Sequence, residues 1–134
     1  MYRVEHDNHV ETGGIITLFN DKEEVGHLKY IRDDESIKIT WIYVEPPYRK
    51  KRISKELLIA FYKIFSKELK QKYILATSRE VGNGLSREKW ANYLVRMGIR
   101  MDANWARQEE ADRNRRKMLR KLRINLFIAE STKS

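Results

Sequence analysis

The feature that most constrains this chain is an abrupt change of period at Glu45-Pro46-Pro47. Before it, Ile37-Lys38-Ile39-Thr40-Trp41-Ile42-Tyr43-Val44 is rich in β-branched and aromatic residues, the composition of a central strand. Proline donates no ladder hydrogen bond and restricts the residue before it, so the strand stops there. After it, Ile53, Leu57, Phe61, Phe65 and Leu69 recur every four residues, widened by Leu58, Tyr62 and Ile64. Lys55, Lys63, Lys67 and Lys70 take the other side. That spacing predicts an amphipathic helix from about 51 to 71, laid on a sheet. Tyr73-Ile74-Leu75-Ala76-Thr77 then fits a short buried strand.

Upstream, Ile15-Ile16-Thr17-Leu18-Phe19 and residues 25–31 read as two more strands. Gly13-Gly14, Asn20-Asp21-Lys22-Glu23 and Asp33-Asp34-Glu35-Ser36 punctuate them as turns. The result is a three-strand meander, with a further strand at residues 2–6. Downstream, Val81-Gly82-Asn83-Gly84 reads as a loop and Ser86 as an N-cap. Trp90, Tyr93, Leu94 and Met97 form one helix face that ends at Gly98, a residue suited to the position after a helix. Residues 103–121 favour helix with a thin apolar stripe (Trp105, Met118, Leu119, Leu122), and 124–129 fits a final strand. With no repeat or linker in 134 residues, this order predicts a single domain, 1–134, of the α+β (mixed α/β) class. An antiparallel meander feeds a β-α-β unit, and a basic helical segment follows at about 103–123.

Composition narrows the chemistry. Without cysteine, disulfides, thiolate nucleophiles and Cys-ligated zinc are excluded. No metal site is expected, because a multi-His site would need His6, His9 and His27 to converge. No apolar run approaches the roughly 18–20 residues that span a bilayer, and the first residues resemble no secretory signal. The expectation is a cytoplasmic domain with no membrane partner. The net charge of +9 is unevenly placed: residues 1–46 carry five basic and ten acidic side chains, so the excess of cations lies downstream. It concentrates in Arg49-Lys50-Lys51-Arg52 and in 113–123, which has seven Lys or Arg and no acid. Such clusters either form solvated helix faces or meet phosphates.

The first cluster sits where the central strand hands over to the helix. Free amides and the helix dipole make such a start an anion site, and Arg49, Lys50, Lys51 and Arg52 add charge to it. Here Val44, Pro46, Tyr48, Arg49, Ile53, Leu57 and Leu58 fall in register with the cofactor-binding segment of the GNAT family of N-acetyltransferases. The resemblance extends over about residues 13–100. That family's pattern is Val-x-Pro-x-(Tyr, His or Trp)-Arg-Gly-x-Gly-Ile-Gly-x-x-Leu-Leu; Lys50, Arg52 and Ser54 stand in place of its three glycines. Its two helices between the first strands have no room between Asp7 and Gly14.

The resemblance implies an acyl-CoA N-acyltransferase-like fold with reduced N-terminal helices. It also implies transfer from acetyl-CoA, or another acyl-CoA, to an amine acceptor. Tyr43, Val44, Arg49, Lys50, Lys51, Arg52, Ile53, Ser54 and Lys55 would bind the cofactor, its pantetheine along Val44 and its phosphates on the turn and helix start. A base and an acid are implied as well. Glu45 and Glu80 are the candidate bases. The family's tyrosine, four residues before a Gly-Phe pair, corresponds to Leu94, leaving Tyr93, one position earlier, as the candidate acid.

The alternative is a catalytically inactive module of the same fold that binds nucleic acid or an acidic protein. Its contacts would be Arg113, Arg115, Arg116, Lys117, Arg120, Lys121 and Arg123, with Trp105 as a stacking surface. The same helix also reads as a solvated tail or a homodimer contact. An acyltransferase acting on nucleic acid, or on a protein bound to it, combines the two readings.

Overall fold

The computed structural model of the chain describes residues 2–10, 13–49, 51–76, 86–101 and 105–132. Its strands are β1 (Arg3–Val10), β2 (Gly13–Asn20), β3 (Glu23–Arg32), β4 (Ser36–Val44), β5 (Tyr73–Ala76) and β6 (Arg100–Met101). Its helices are α1 (Ile53–Ile64), α2 (Arg87–Arg96) and α3 (Gln108–Thr132). The six strands form one mixed sheet in the order β1-β2-β3-β4-β5-β6. The first four pair antiparallel, and β4, β5 and β6 pair in parallel. The fold is therefore α+β. Only residues 11 and 12 separate β1 from β2, so no helix intervenes there.

The buried residues of β4 change parity halfway along. Ile37 and Ile39 are buried in its first half, Ile42 and Val44 in its second. The register with β3 shifts between the pairs Lys29↔Trp41 and Tyr30↔Ile39, so Thr40 is an extra residue: a β-bulge. The bulge restores the same face to the core after the slip. That core is built from Ile16, Leu18, Leu28 and Tyr30 of the sheet against Leu57, Leu58, Phe61 and Tyr62 of α1.

Three segments depart from the sequence expectation. The long helix ends at Ile64 instead of continuing to 71. Phe65 leaves helical geometry (φ −106°, ψ 22°), and its ring packs on Tyr30 (4.9 Å between centroids) and Phe61 (5.2 Å). A 3-10 turn at Glu68–Lys70 then buries Leu69, so the four-residue apolar spacing outlives the helix that suggested it. Gly13-Gly14 opens β2 and pairs with Ile31 and Tyr30, where a turn was expected. Residues 124–129 extend α3 instead of forming a strand. That stretch contains no glycine or proline to stop a helix, and the sheet position beside β5 belongs to β6. Ser86 does cap α2, accepting from the Lys89 N–H at 3.3 Å. Val81-Gly82-Asn83-Gly84 lies outside the described residues.

Helix α3 is fixed to the body at Gly98 (φ +85°). A Cβ there would lie 2.3 Å from the Tyr62 hydroxyl and 2.6 Å from the Arg115 backbone. The Tyr62 hydroxyl donates to the Met97 carbonyl at 2.6 Å in the same buried spot. Beside it, Asp112 accepts from Arg100 through both oxygens (2.9 and 2.6 Å) and from Arg115 at 3.1 Å. Burial pushes the Asp112 carboxyl up, but the Arg100 hydrogen bonds and the Arg100, Arg115 and Arg116 charges outweigh it and hold the group below its ordinary value.

Two outcomes follow from this anchor. Gly98→Ala should lower stability by about 2 kcal/mol or more in chemical denaturation, from a clash and a left-handed φ together. A carboxyl lowered on folding adds stability that is complete above its unfolded pKa of about 3.9 and lost as pH falls through the folded value. Asp112→Asn should therefore destabilise the fold at neutral pH and flatten its loss of stability below about pH 4, read from melting temperature against pH.

Candidate functional site

The pairing of β4 with β5 runs from Ser36↔Tyr73 to Ile39↔Ala76 and goes no further among the described residues. Strand β4 continues to Val44, so its second half is held by β3 alone. The Glu45 N–H still bonds the Val25 carbonyl at 2.9 Å. Antiparallel alternation then turns the main-chain groups of Ile42 and Val44 to the opposite edge, beyond the last described pair with β5.

Beyond Val44, the chain makes a 3-10 turn, Pro46–Tyr48, and enters α1 through Arg52. No side chain caps α1, and Glu56 N–H to the Arg52 carbonyl (3.1 Å) begins its ladder. The amides ahead of Glu56 have no carbonyl one turn earlier in the helix to accept them. Arg52 has φ 62° and ψ 25°, the left-handed region that glycine favours. It occupies a position where the resembled pattern carries a glycine, and its side chain is exposed instead of filling the turn.

Arg49 ties the turn to the strand end. Its Nε donates to the Val44 carbonyl at 3.0 Å, and its guanidinium lies 5.6 Å from the centre of the Tyr43 ring. Tyr43 in turn stacks on His27. Tyr48 pins the turn to the β2–β3 connection, donating to Glu23 at 3.0 Å, while the Lys51 ammonium sits 5.5 Å over its ring. Val44 and Ile53 have side chains sealed in the core (3% and 1% exposed), so they can offer a ligand only main-chain groups. Ser54 is half-buried and Lys55 exposed; Lys50 lies outside the described residues.

The candidate catalytic residues are scattered. Glu45 is half-buried at the end of the open edge, and its carboxylate has no hydrogen-bond or ion-pair partner among the described residues. Glu80 lies outside them. The Tyr93 hydroxyl is buried without a partner among them, and the ring stacks on Trp90 at 5.6 Å. Burial pushes this phenol up to about 12, against a smaller downward pull from Arg96.

Of the alternative nucleic-acid set, Arg113, Arg116, Lys117, Arg120, Lys121 and Arg123 are exposed on α3. Arg115 is not: it is 8% exposed and paired with Asp112, so it belongs to the anchor and leaves that set. The Trp105 side chain lies outside the described residues. None of these residues forms a group of three or more metal-ligating side chains among those described, and no described helix is long and apolar enough to cross a membrane.

Sequence reasoning missed Gly26. A Cβ on it would lie 2.8 Å from the Tyr43 carbonyl, 3.1 Å from Ile53 and 3.3 Å from Leu57. Its bareness lets the first turn of α1 press against β3 and sets the distance from helix start to strand edge. A glycine inside an otherwise clear strand was the available signal.

No protein-family model and no curated protein matches the sequence.

If Arg52 holds the left-handed conformation at a cost, Arg52→Gly should leave stability unchanged or raise it by up to about 1 kcal/mol. A β-branched Arg52→Val should lower it by about 1–2 kcal/mol, since left-handed backbone is most strained for that class. Equilibrium urea unfolding of the two variants checks the pair.

Proposed function

We propose that the chain is an acyl-CoA-dependent N-acyltransferase of the GNAT type, taking acetyl-CoA or another acyl-CoA as donor and an amine as acceptor.

 What supports this reading is the meeting of two elements: the part of β4 beyond its last described pair with β5, and the uncapped start of α1. An extended pantetheine-like arm carries amides that can pair with the outward main-chain groups of Ile42 and with the Val44 N–H, as an added strand does, while the Val44 carbonyl accepts from Arg49. The diphosphate would rest on the amides of Ser54 and Lys55, with Arg49, Lys51, Arg52 and Lys55 neutralising its charge. The left-handed backbone at Arg52 supports that fit, because the turn keeps a glycine-like course while the side chain points to solvent.

A bound acyl thioester supplies the activated carbonyl carbon. Glu45 is the base we assign: its unpartnered carboxylate takes a proton from the acceptor's ammonium. The freed amine would form the new C–N bond to the carbonyl carbon as the C–S bond breaks; the nitrogen would give its second proton to water, and the thiolate would take one proton from water. Tyr93 is given no part, since a phenol held near 12 is a poor donor to a thiolate whose ordinary pKa is about 8.5.

Calorimetric titration with acetyl-CoA tests the binding. We expect saturable binding at micromolar cofactor, weakened at least about tenfold by Arg49→Glu, a charge reversal beside the proposed diphosphate. Lys70→Glu, beyond the opposite end of α1, should leave it unchanged. No binding at high micromolar cofactor would overturn the reading.

A further inference from the structure

Helix α3 and the end of α1 enclose a trough of about 550 Å³ that the acyl-CoA reading does not use. One wall carries Lys63, Lys67 and Lys70, the other Arg116, Arg120 and Arg123. Both rows have the same spacing, i, i+4, i+7, although about fifty residues of chain separate them, and the fold alone sets them face to face. Leu119 and Leu122 lie between, and no acid lines the trough. None of the six cations has an ion-pair partner among the described residues. Glu68, Asp112 and Glu110 are already paired, with Arg32 and Lys72, with Arg100 and Arg115, and with Arg107, and neither Glu56 nor Glu109 lines the trough. Six like charges around one concavity repel each other, and a polyanion in the trough removes that repulsion.

We propose that this trough binds the phosphate backbone of a single-stranded nucleic acid. Three features select that partner. The positive surface does not stop at the trough: Lys117 and Lys121 are exposed elsewhere on α3, as an elongated polyanion requires. An acidic peptide filling the trough would leave those two unopposed. The arginine wall offers planar guanidinium groups, which grip phosphate through two bonds and also stack on unpaired bases. The concave, two-walled shape admits one strand between the rows, whereas a duplex presents its phosphates on a wide convex surface. Gly98 and the buried Tyr62 hold α3 in the position that makes the trough, so the site depends on the body of the fold. The proposal is independent of acyl-CoA binding, which concerns the other end of α1.

Fluorescence anisotropy of the whole chain with labelled single-stranded DNA and RNA of about 15 nucleotides, across a salt series, tests it. Each phosphate contact on a single strand contributes a slope of about −0.7 in log K against log salt, so engagement of both rows predicts about −3 to −4. Lys63→Ala/Lys67→Ala/Lys70→Ala should reduce the slope by about 2 and weaken binding at least about tenfold in low salt. Arg120→Ala/Arg123→Ala, on the opposite wall, should weaken it independently. Lys22→Ala/Lys29→Ala/Lys38→Ala removes the same charge outside the trough and should retain most of the affinity. Equal losses in the trough and control variants would reduce the effect to net charge and overturn the proposal. So would a duplex of equal length binding as tightly, or polyglutamate of matched charge displacing the strand as well as nucleic acid does.

Discussion

The place where the described pairing of β4 with β5 stops is the constraint on which the proposed site depends. A parallel neighbour along the full strand would occupy the main-chain groups of Ile42 and Val44 and leave no edge to bind anything. The bulge at Thr40 coincides with the last described pair, Ile39↔Ala76. Bulges bend a strand and increase its twist. The same extra residue changes the parity of the strand, so that Ile42 and Val44 remain in the core after Ile37 and Ile39. One inserted residue thus bends the strand without exposing its apolar face.

The helix start reaches that edge through a second constraint, the absence of a side chain at Gly26. Ile53 and Leu57 press on β3 there, and Tyr48 fastens the intervening turn to Glu23. Neither contact involves a charged residue of the basic turn. Among the described residues, Arg52 and Lys55 are therefore left for solvent or ligand, while Lys51 lies over the Tyr48 ring and the Nε of Arg49 holds the Val44 carbonyl. At the opposite end of α1, the backbone of Gly98 and the Tyr62 hydroxyl hold α3 close, and Asp112 balances the two arginines packed nearest to it. Long helix α1 joins two regions with different loads: an open strand edge at its start and a cationic trough at its end.

The sequence revealed most of what is local. The meander, the strand stop at Pro46-Pro47, a helix start within two residues of the expected 51, the cap at Ser86 and the position of Gly98 after a helix all follow from period, turn residues and capping chemistry. It misled where a tertiary contact replaced a local preference. Phe65 and Leu69 kept the helical spacing, but their burial is achieved by a break and a 3-10 turn. The run at 124–129 looked like a strand because short apolar stretches suit either state, and the two-residue β6 was too short to leave a pattern. At the candidate site, Arg49 and the helix start beside it were legible in the residue order. Gly26 and the parity change in β4 were visible there too, yet their meaning required the partner strand. Lys63, Lys67 and Lys70 read as an ordinary solvated face until the fold set them opposite α3.

The account stands or falls on whether the open edge and the helix start act together as one binding site. Backbone amide resonances followed during titration with acetyl-CoA report on that directly. The prediction is a saturable set of shifts at Ile42, Val44, Arg52, Ser54 and Lys55, with the amides of β1 and of α3 unmoved. Shifts confined to α3, or none along β4 and the first turn of α1 at saturating cofactor, would contradict it.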